Sequence, residues 1–118
     1  MERVKKIYHK SKEIIFIDYS NVKNEDEMIN IILVQKEIVL RDNKKYIFCA
    51  DYTNSFTPPK YMSEANKFLQ ATKHLTIKGA FLGITGAKNI LLNGIIRLFG
   101  VNFKTFNDKT EALDFLVT

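Results

Sequence analysis

The chain is poor in the residues that usually announce a chemistry. Its single cysteine, Cys49, excludes an internal disulfide, and a domain of 118 residues can build its core without one. His9 and His74 stand alone, with no HExxH pair and no companion thiols, so a zinc site has no ligand set. No G-x-S-x-G elbow surrounds a serine, and neither Ser20 nor Ser55 has a histidine near it in sequence. Two prolines and five glycines exclude a collagen-like or low-complexity chain. No apolar run approaches the roughly 18 residues of a transmembrane segment. The opening Met1-Glu2-Arg3-Val4-Lys5-Lys6 has no apolar h-region behind it, which argues against a signal peptide.

What remains is an ordinary globular composition, 46% hydrophobic and 26% charged. It suits one domain over residues 1–118, with no linker or internal repeat. Cys49 sits in Tyr46-Ile47-Phe48-Cys49-Ala50, a predicted buried strand where a free thiol acts as a small hydrophobe, and a reducing cytoplasm is the expected compartment. Of the net charge of +5, residues 1–12 carry +4, from Arg3, Lys5, Lys6, Lys10 and Lys12 against Glu2. Such a segment can meet nucleic acid or anionic lipid. These charges alternate with Val4, Ile7 and Tyr8, however, and lysines on an edge strand also guard against edge-to-edge aggregation. That second reading is preferred, and nucleic acid is not an expected partner.

The pattern predicts strands at 4–9, 13–18, 45–51, 80–84 and 101–106. Glu13-Ile14-Ile15-Phe16-Ile17-Asp18 is an unbroken apolar run, the mark of a strand covered on both faces. Helices follow four of the strands. Asn24 with Glu27 has capping-box spacing, and Met28, Ile31, Ile32, Ile38 and Val39 form an apolar stripe interrupted by Gln35. Thr57 is expected to cap a second helix whose first turn tolerates Pro58. Gly100 is placed to end a third, and Asp108 with Glu111 to open a fourth. The order is β-β-α-β-α-β-α-β-α, an α/β fold with a mostly parallel sheet and helices packed on it. The first strand is either a hairpin partner of the second or an outer edge.

Gly83-Ile84-Thr85-Gly86-Ala87-Lys88 has the look of a phosphate loop without its parts. The glycines are three apart, Ala87 separates Lys88 from Gly86, and Asn89 stands where a magnesium-binding hydroxyl belongs. An anion at the free amides of the helix start, helped by Thr85, Gly86 and Lys88, is the weaker alternative. The preferred reading is structural: Gly83 permits close packing and Thr85 caps the helix. Asp18 and Asp51 fall at the C-terminal ends of parallel strands, where α/β proteins place their sites, but strand-end aspartates also cap loops. With no third partner visible, no catalytic residue, metal or cofactor is assigned.

The helix after this turn is apolar around nearly two-thirds of its circumference. Leu91, Gly94, Ile95 and Leu98 are expected to face the sheet, with Leu92, Ile96 and Phe99 around the back. Either the last helix covers this surplus through Phe115 and Leu116, or it is a surface for self-association, or it walls a pocket for an apolar ligand. Gly94 would allow a neighbouring backbone close.

The element order, the strand bearing Gly83-Ile84-Thr85-Gly86, the helix ending Arg97-Leu98-Phe99, the strand Phe103 to Phe106 and Glu111-Ala112-Leu113-Asp114-Phe115-Leu116 together resemble the STAS fold. The likeness is to the SpoIIAA-like branch, small bacterial proteins similar to anti-sigma-factor antagonists. It implies a non-catalytic regulatory domain that binds a protein partner or itself, with a carrier for a lipid or other apolar molecule as the alternative. Phosphorylatable members carry a D-S-S-G-like motif, whereas this chain has Asn54-Ser55-Phe56-Thr57-Pro58-Pro59. Ser55 and Thr57 are the candidate phosphorylation sites by position, without the flanking acid and glycine. The expected partner surface comprises Ser55, Phe56, Thr57, Leu92, Ile96 and Phe99. Replacing Leu92 and Phe99 by Asp is expected to break association and spare the fold.

Overall fold

The computed structural model describes residues 3–118, so Met1 and Glu2 of the basic leading segment lie outside the description. Chain order gives β1 (Val4–His9), β2 (Lys12–Asp18), α1 (Glu25–Asp42), β3 (Tyr46–Asp51), α2 (Pro59–Thr72), β4 (Thr76–Leu82), α3 (Ala87–Phe99), β5 (Phe103–Phe106) and α4 (Lys109–Val117). The strands lie side by side in the order β1-β2-β3-β4-β5. β1 is antiparallel to β2, and every other pair is parallel. The first strand is therefore both hairpin partner and sheet edge. Its two-residue turn holds Lys10 and Ser11 at positive φ (50° and 67°), the combination whose twist suits a tight hairpin.

Alternation sorts the side chains into two cores. Ile15 and Ile17 of β2, Phe48 and Ala50 of β3, Phe81 of β4 and Phe103 of β5 face α1, α2 and α3. Ile14, Phe16, Ile47, Cys49, Ala80 and Leu82 face the other way, beneath Ala112, Leu113 and Leu116 of α4. The apolar run in β2 is thus covered on both faces. Gly79 belongs to the first core for a steric reason. A Cβ there would lie 2.6 Å from the Phe48 ring and 2.8 Å from that of Phe103, two rings that pack edge to face.

Right-handed crossovers between parallel neighbours carry α1, α2 and α3 to one face. α4 follows the outermost strand and returns over the opposite face, so it does not cover α3 as the sequence allowed. Asn24 caps α1, its Oδ1 accepting from the Glu27 amide at 3.0 Å, and Asn43 ends it in the left-handed region. Asp108 likewise caps α4. Neither expected threonine cap forms. α2 is entered through Pro58 and α3 through Gly86, and no side chain bonds either first turn.

The basic leading segment is largely answered within the chain. Arg3 meets Glu27 at 3.2 Å, Lys6 meets Asp42 at 2.6 Å, and Lys10 meets Asp114 at 3.1 Å. Asp114 also takes His9 Nε2 at 2.7 Å, tying the hairpin turn to α4.

Candidate functional site

The C-terminal ends of β2, β3 and β4 form the rim where a site is expected in such a sheet. Asp18 and Asp51 are register partners on neighbouring strands. Each carboxylate turns back on its own loop. Asp18 Oδ1 accepts from the Ser20 amide at 2.9 Å and the Ser20 hydroxyl at 2.5 Å. Asp51 Oδ1 accepts from the Thr53 amide at 2.9 Å and the Thr53 hydroxyl at 2.6 Å. These are Asx turns, and they engage one oxygen of each carboxylate, Oδ1, in capping.

The two turns are the same device used twice. Asp18-Tyr19-Ser20-Asn21 and Asp51-Tyr52-Thr53-Asn54 share a D-Y-[ST]-N pattern, a short internal repeat that the sequence analysis overlooked. Both asparagines are left-handed, at φ 62° and 54°. Their side chains meet, Asn54 Nδ2 donating to Asn21 Oδ1 at 2.8 Å, while Lys23 Nζ donates to Asn54 Oδ1 at 3.0 Å. Backbone bonds stitch the loops together as well. The Tyr19 amide donates to the Asp51 carbonyl, Asn21 to Thr53 and Tyr52 to Leu82, all within 2.9 Å.

Beneath the rim lie three tyrosines. Tyr19 and Tyr52 stack, Tyr61 of α2 stands edge-on to Tyr19, and the Tyr52 and Tyr61 hydroxyls are 2.5 Å apart. Burial pushes all three phenols well above their ordinary range, so they stay protonated. Among the described residues the Tyr19 hydroxyl, although buried, has no hydrogen-bond partner.

Gly83 ends β4 at φ +73°, and a Cβ there would meet the Thr53 backbone nitrogen at 2.4 Å. The glycine is required for this close packing, as the sequence suggested. Around Thr85, Gly86 and Lys88, the groups an anion would use are partly engaged already. The amides of Lys88 and Asn89 are engaged with the carbonyls of Thr85 and Gly86, and Lys88 Nζ donates to the Tyr52 carbonyl at 3.1 Å. Burial, then the charge of Lys23, holds the Lys88 ammonium below its ordinary pKa. Among the described residues no three His, Cys, Asp or Glu side chains are grouped to hold a metal.

The loop candidates are half-buried. Ser55 Oγ donates to the Tyr52 carbonyl at 2.9 Å, Phe56 packs against the main core, and Thr57 lines a cleft between α2 and α3. Pro58 and Pro59 deprive the start of α2 of two amide donors, which removes much of the attraction that a phosphate on Ser55 or Thr57 would find there. The cleft is apolar, walled by Met62, Ala65, Ile84, Leu92 and Ile95, and holds about 40 Å³.

α3 lies in the reverse phase to that expected. Leu92 and Phe99 are its two buried residues, at 5% and 7% exposure, and Ile96 is half-buried against the core. The outward surface instead carries Ile90, Leu91 and Leu98, at 75%, 38% and 72% exposure. A helix apolar nearly all round gives no sequence signal for its phase, and the large Phe99 ring gains most from burial. Leu92 and Phe99 are therefore core residues, and Asp at either would damage the fold. Ile90 was missed as a surface candidate.

An antiparallel hairpin leads a parallel sheet, with three helices on one face and one on the other. A solved structure, of an uncharacterised protein from the DUF3478 family with a SpoIIAA-like fold, from Shewanella loihica PV-4, superposes with a TM-score of 0.75. The match covers 96% of this chain and 91% of that chain at 12% identity, a likeness of fold. No protein-family model and no curated protein matches the sequence. The chain has the SpoIIAA-like fold, and no helix among the described residues is long and apolar enough to cross a membrane.

Proposed function

We propose that this domain is a non-catalytic regulatory module that works by protein–protein contact through the outer face of α3. One observation carries the reading: Ile90 and Leu98 are about three-quarters exposed on a helix whose own fold leaves that side uncovered. Contiguous exposed apolar side chains of this size mark contact surfaces more often than scattered ones do. Engagement of Asp18 and Asp51 in loop capping supports a binding role over catalysis at the rim. A reducing, cytoplasmic setting suits the free, buried Cys49.

The test is capture by cross-linking in the native host, comparing the parent with an Ile90→Asp/Leu98→Asp variant. The variant keeps its fold, since both positions are exposed, and loses cross-linked protein partners. A variant that keeps every partner sinks the proposal.

The carrier reading draws on the apolar cleft between α2 and α3, but its 40 Å³ has room for a few water molecules and is far below the roughly 300–1,000 Å³ of a ligand pocket. Any lipid chain would have to displace α3. Native mass spectrometry of the freshly purified protein, showing a bound apolar mass, would favour it.

A further inference from the structure

We propose, resting on the contact role of α3, that its first partner is a second copy of this chain, packed antiparallel about a two-fold axis through Gly94. With 3.6 residues per turn, Ala87, Ile90, Leu91, Gly94, Arg97 and Leu98 all lie within about 60° of the Gly94 direction. All six are exposed. Gly94 stands at the centre of this face, and a Cβ built on it meets nothing within 4 Å, so a neighbouring backbone has room to approach.

The face complements itself. Ile90 and Leu98 lie four residues before and after Gly94, so a two-fold axis there brings Ile90 of one copy alongside Leu98 of the other. An isologous contact needs this reciprocity, residue i meeting j while j meets i. Leu91 and Arg97, three residues either side, are related in the same way. The aliphatic stem of Arg97 then covers Leu91 while its guanidinium stays in water.

Charge selects the antiparallel direction. Arg97 is the sole charged side chain on the face. In a parallel pair the two guanidiniums would stand opposite each other with the helix dipoles aligned. The antiparallel pair separates them by about 9 Å along the axis, at 1.5 Å per residue, roughly one Debye length in physiological salt. It also sets the positive start of each helix beside the negative end of the other.

Size sets the strength. A helix of 13 residues is about 20 Å long, and one face of it falls short of the roughly 800 Å² per partner of a standard stable interface. The pair is therefore weak and concentration-dependent.

Sedimentation of the full chain from micromolar to millimolar concentration tests this. The parent mass rises from monomer toward dimer, and Ile90→Asp and Leu98→Asp each move the midpoint up by about tenfold or more, a loss of roughly 1.4 kcal/mol. A Gly94→Cys variant supplies an independent reading. The native Cys49 is buried, so mild oxidation joins two chains only through residue 94, where the two-fold axis places the Cα atoms within disulfide reach. Leu33→Cys, on the exposed side of α1, serves as the control and stays monomeric. A parent that remains monomeric at millimolar concentration, with Gly94→Cys joining no faster than Leu33→Cys, overturns the pairing. So does exclusive cross-linking of the α3 face to a different protein, which would leave the contact role itself standing.

Discussion

The rings of Tyr19 and Tyr52 stack with centroids 4.6 Å apart and planes 16° from parallel, although each belongs to a different strand-end loop. The two hydroxyls do not share a fate. Tyr52 is paired with Tyr61, whereas the buried Tyr19 hydroxyl finds no partner among the described residues. Tyr19→Phe should therefore be neutral or stabilising by about 1 kcal/mol, and Tyr61→Phe destabilising by about 1–3 kcal/mol, because it orphans the Tyr52 hydroxyl. Chemical denaturation of the two variants reads the difference directly, and equal losses in both would contradict the assignment.

The phase of α3 makes a second contrast. Leu92→Ala should cost about 2–5 kcal/mol and Phe99→Ala about 3–5 kcal/mol, through lost burial and the cavity left behind. Leu98→Ala, at an exposed position, should fall within about 0.5 kcal/mol of the parent. Thermal unfolding at low protein concentration separates this effect from self-association.

The glycines just before and within α3 should respond in opposite directions. Gly83→Ala meets both a left-handed backbone and the Thr53 main chain, and should destabilise by more than about 1 kcal/mol. Gly94→Ala has open space in a helix and should stabilise the monomer by about 0.5–1 kcal/mol. The same alanine should weaken pairing, so the melting temperature of the monomer and the midpoint concentration of dimerisation should both rise.

Acid should weaken the ties of the β1–β2 hairpin. Lys6, bonded to Asp42, lowers that carboxyl below its ordinary 3.8, and His9 with Lys10 lowers Asp114 in the same way. A carboxyl whose folded pKa is depressed adds stability above its unfolded value and loses it as pH falls through the folded one. Lys6→Met should therefore be less stable than the parent at neutral pH, with the gap narrowing from about pH 4 and closing as pH falls through the depressed folded value of Asp42, below which both forms carry a protonated carboxyl. Melting temperatures from pH 2 to 7 test this, and a gap that persists at the acid end would contradict it.

The Cys49 thiol is pushed up to about 12, first by burial and then by Asp51. Alkylation by iodoacetamide at pH 8 should leave the native chain unmodified and label it fully in denaturant, as read by intact mass.

Much of the fold was legible because its signals are local. The continuous apolar run of β2, the Asn24 and Asp108 caps and Gly100 after α3 each declare themselves within a few residues. The side of the sheet that α4 takes is a non-local outcome, the face that the three crossover helices leave open, and Phe115 alone could not reveal it. Nor could periodicity set the phase of α3, where Leu91 and Leu92 offer equal hydrophobicity to either face. The paired D-Y-[ST]-N turns were visible in the letters, yet their meaning depends on Asp18 and Asp51 meeting in register.

The stitching of the strand-end loops has a consequence for how the molecule breathes. The amides of Tyr19, Asn21 and Tyr52 are held by acceptors on neighbouring segments, so none can reach solvent without disturbing the next. They should exchange hydrogen in concert, as one slowly opening foldon, while the amides of α3, anchored by just two buried side chains, exchange from shallower excursions.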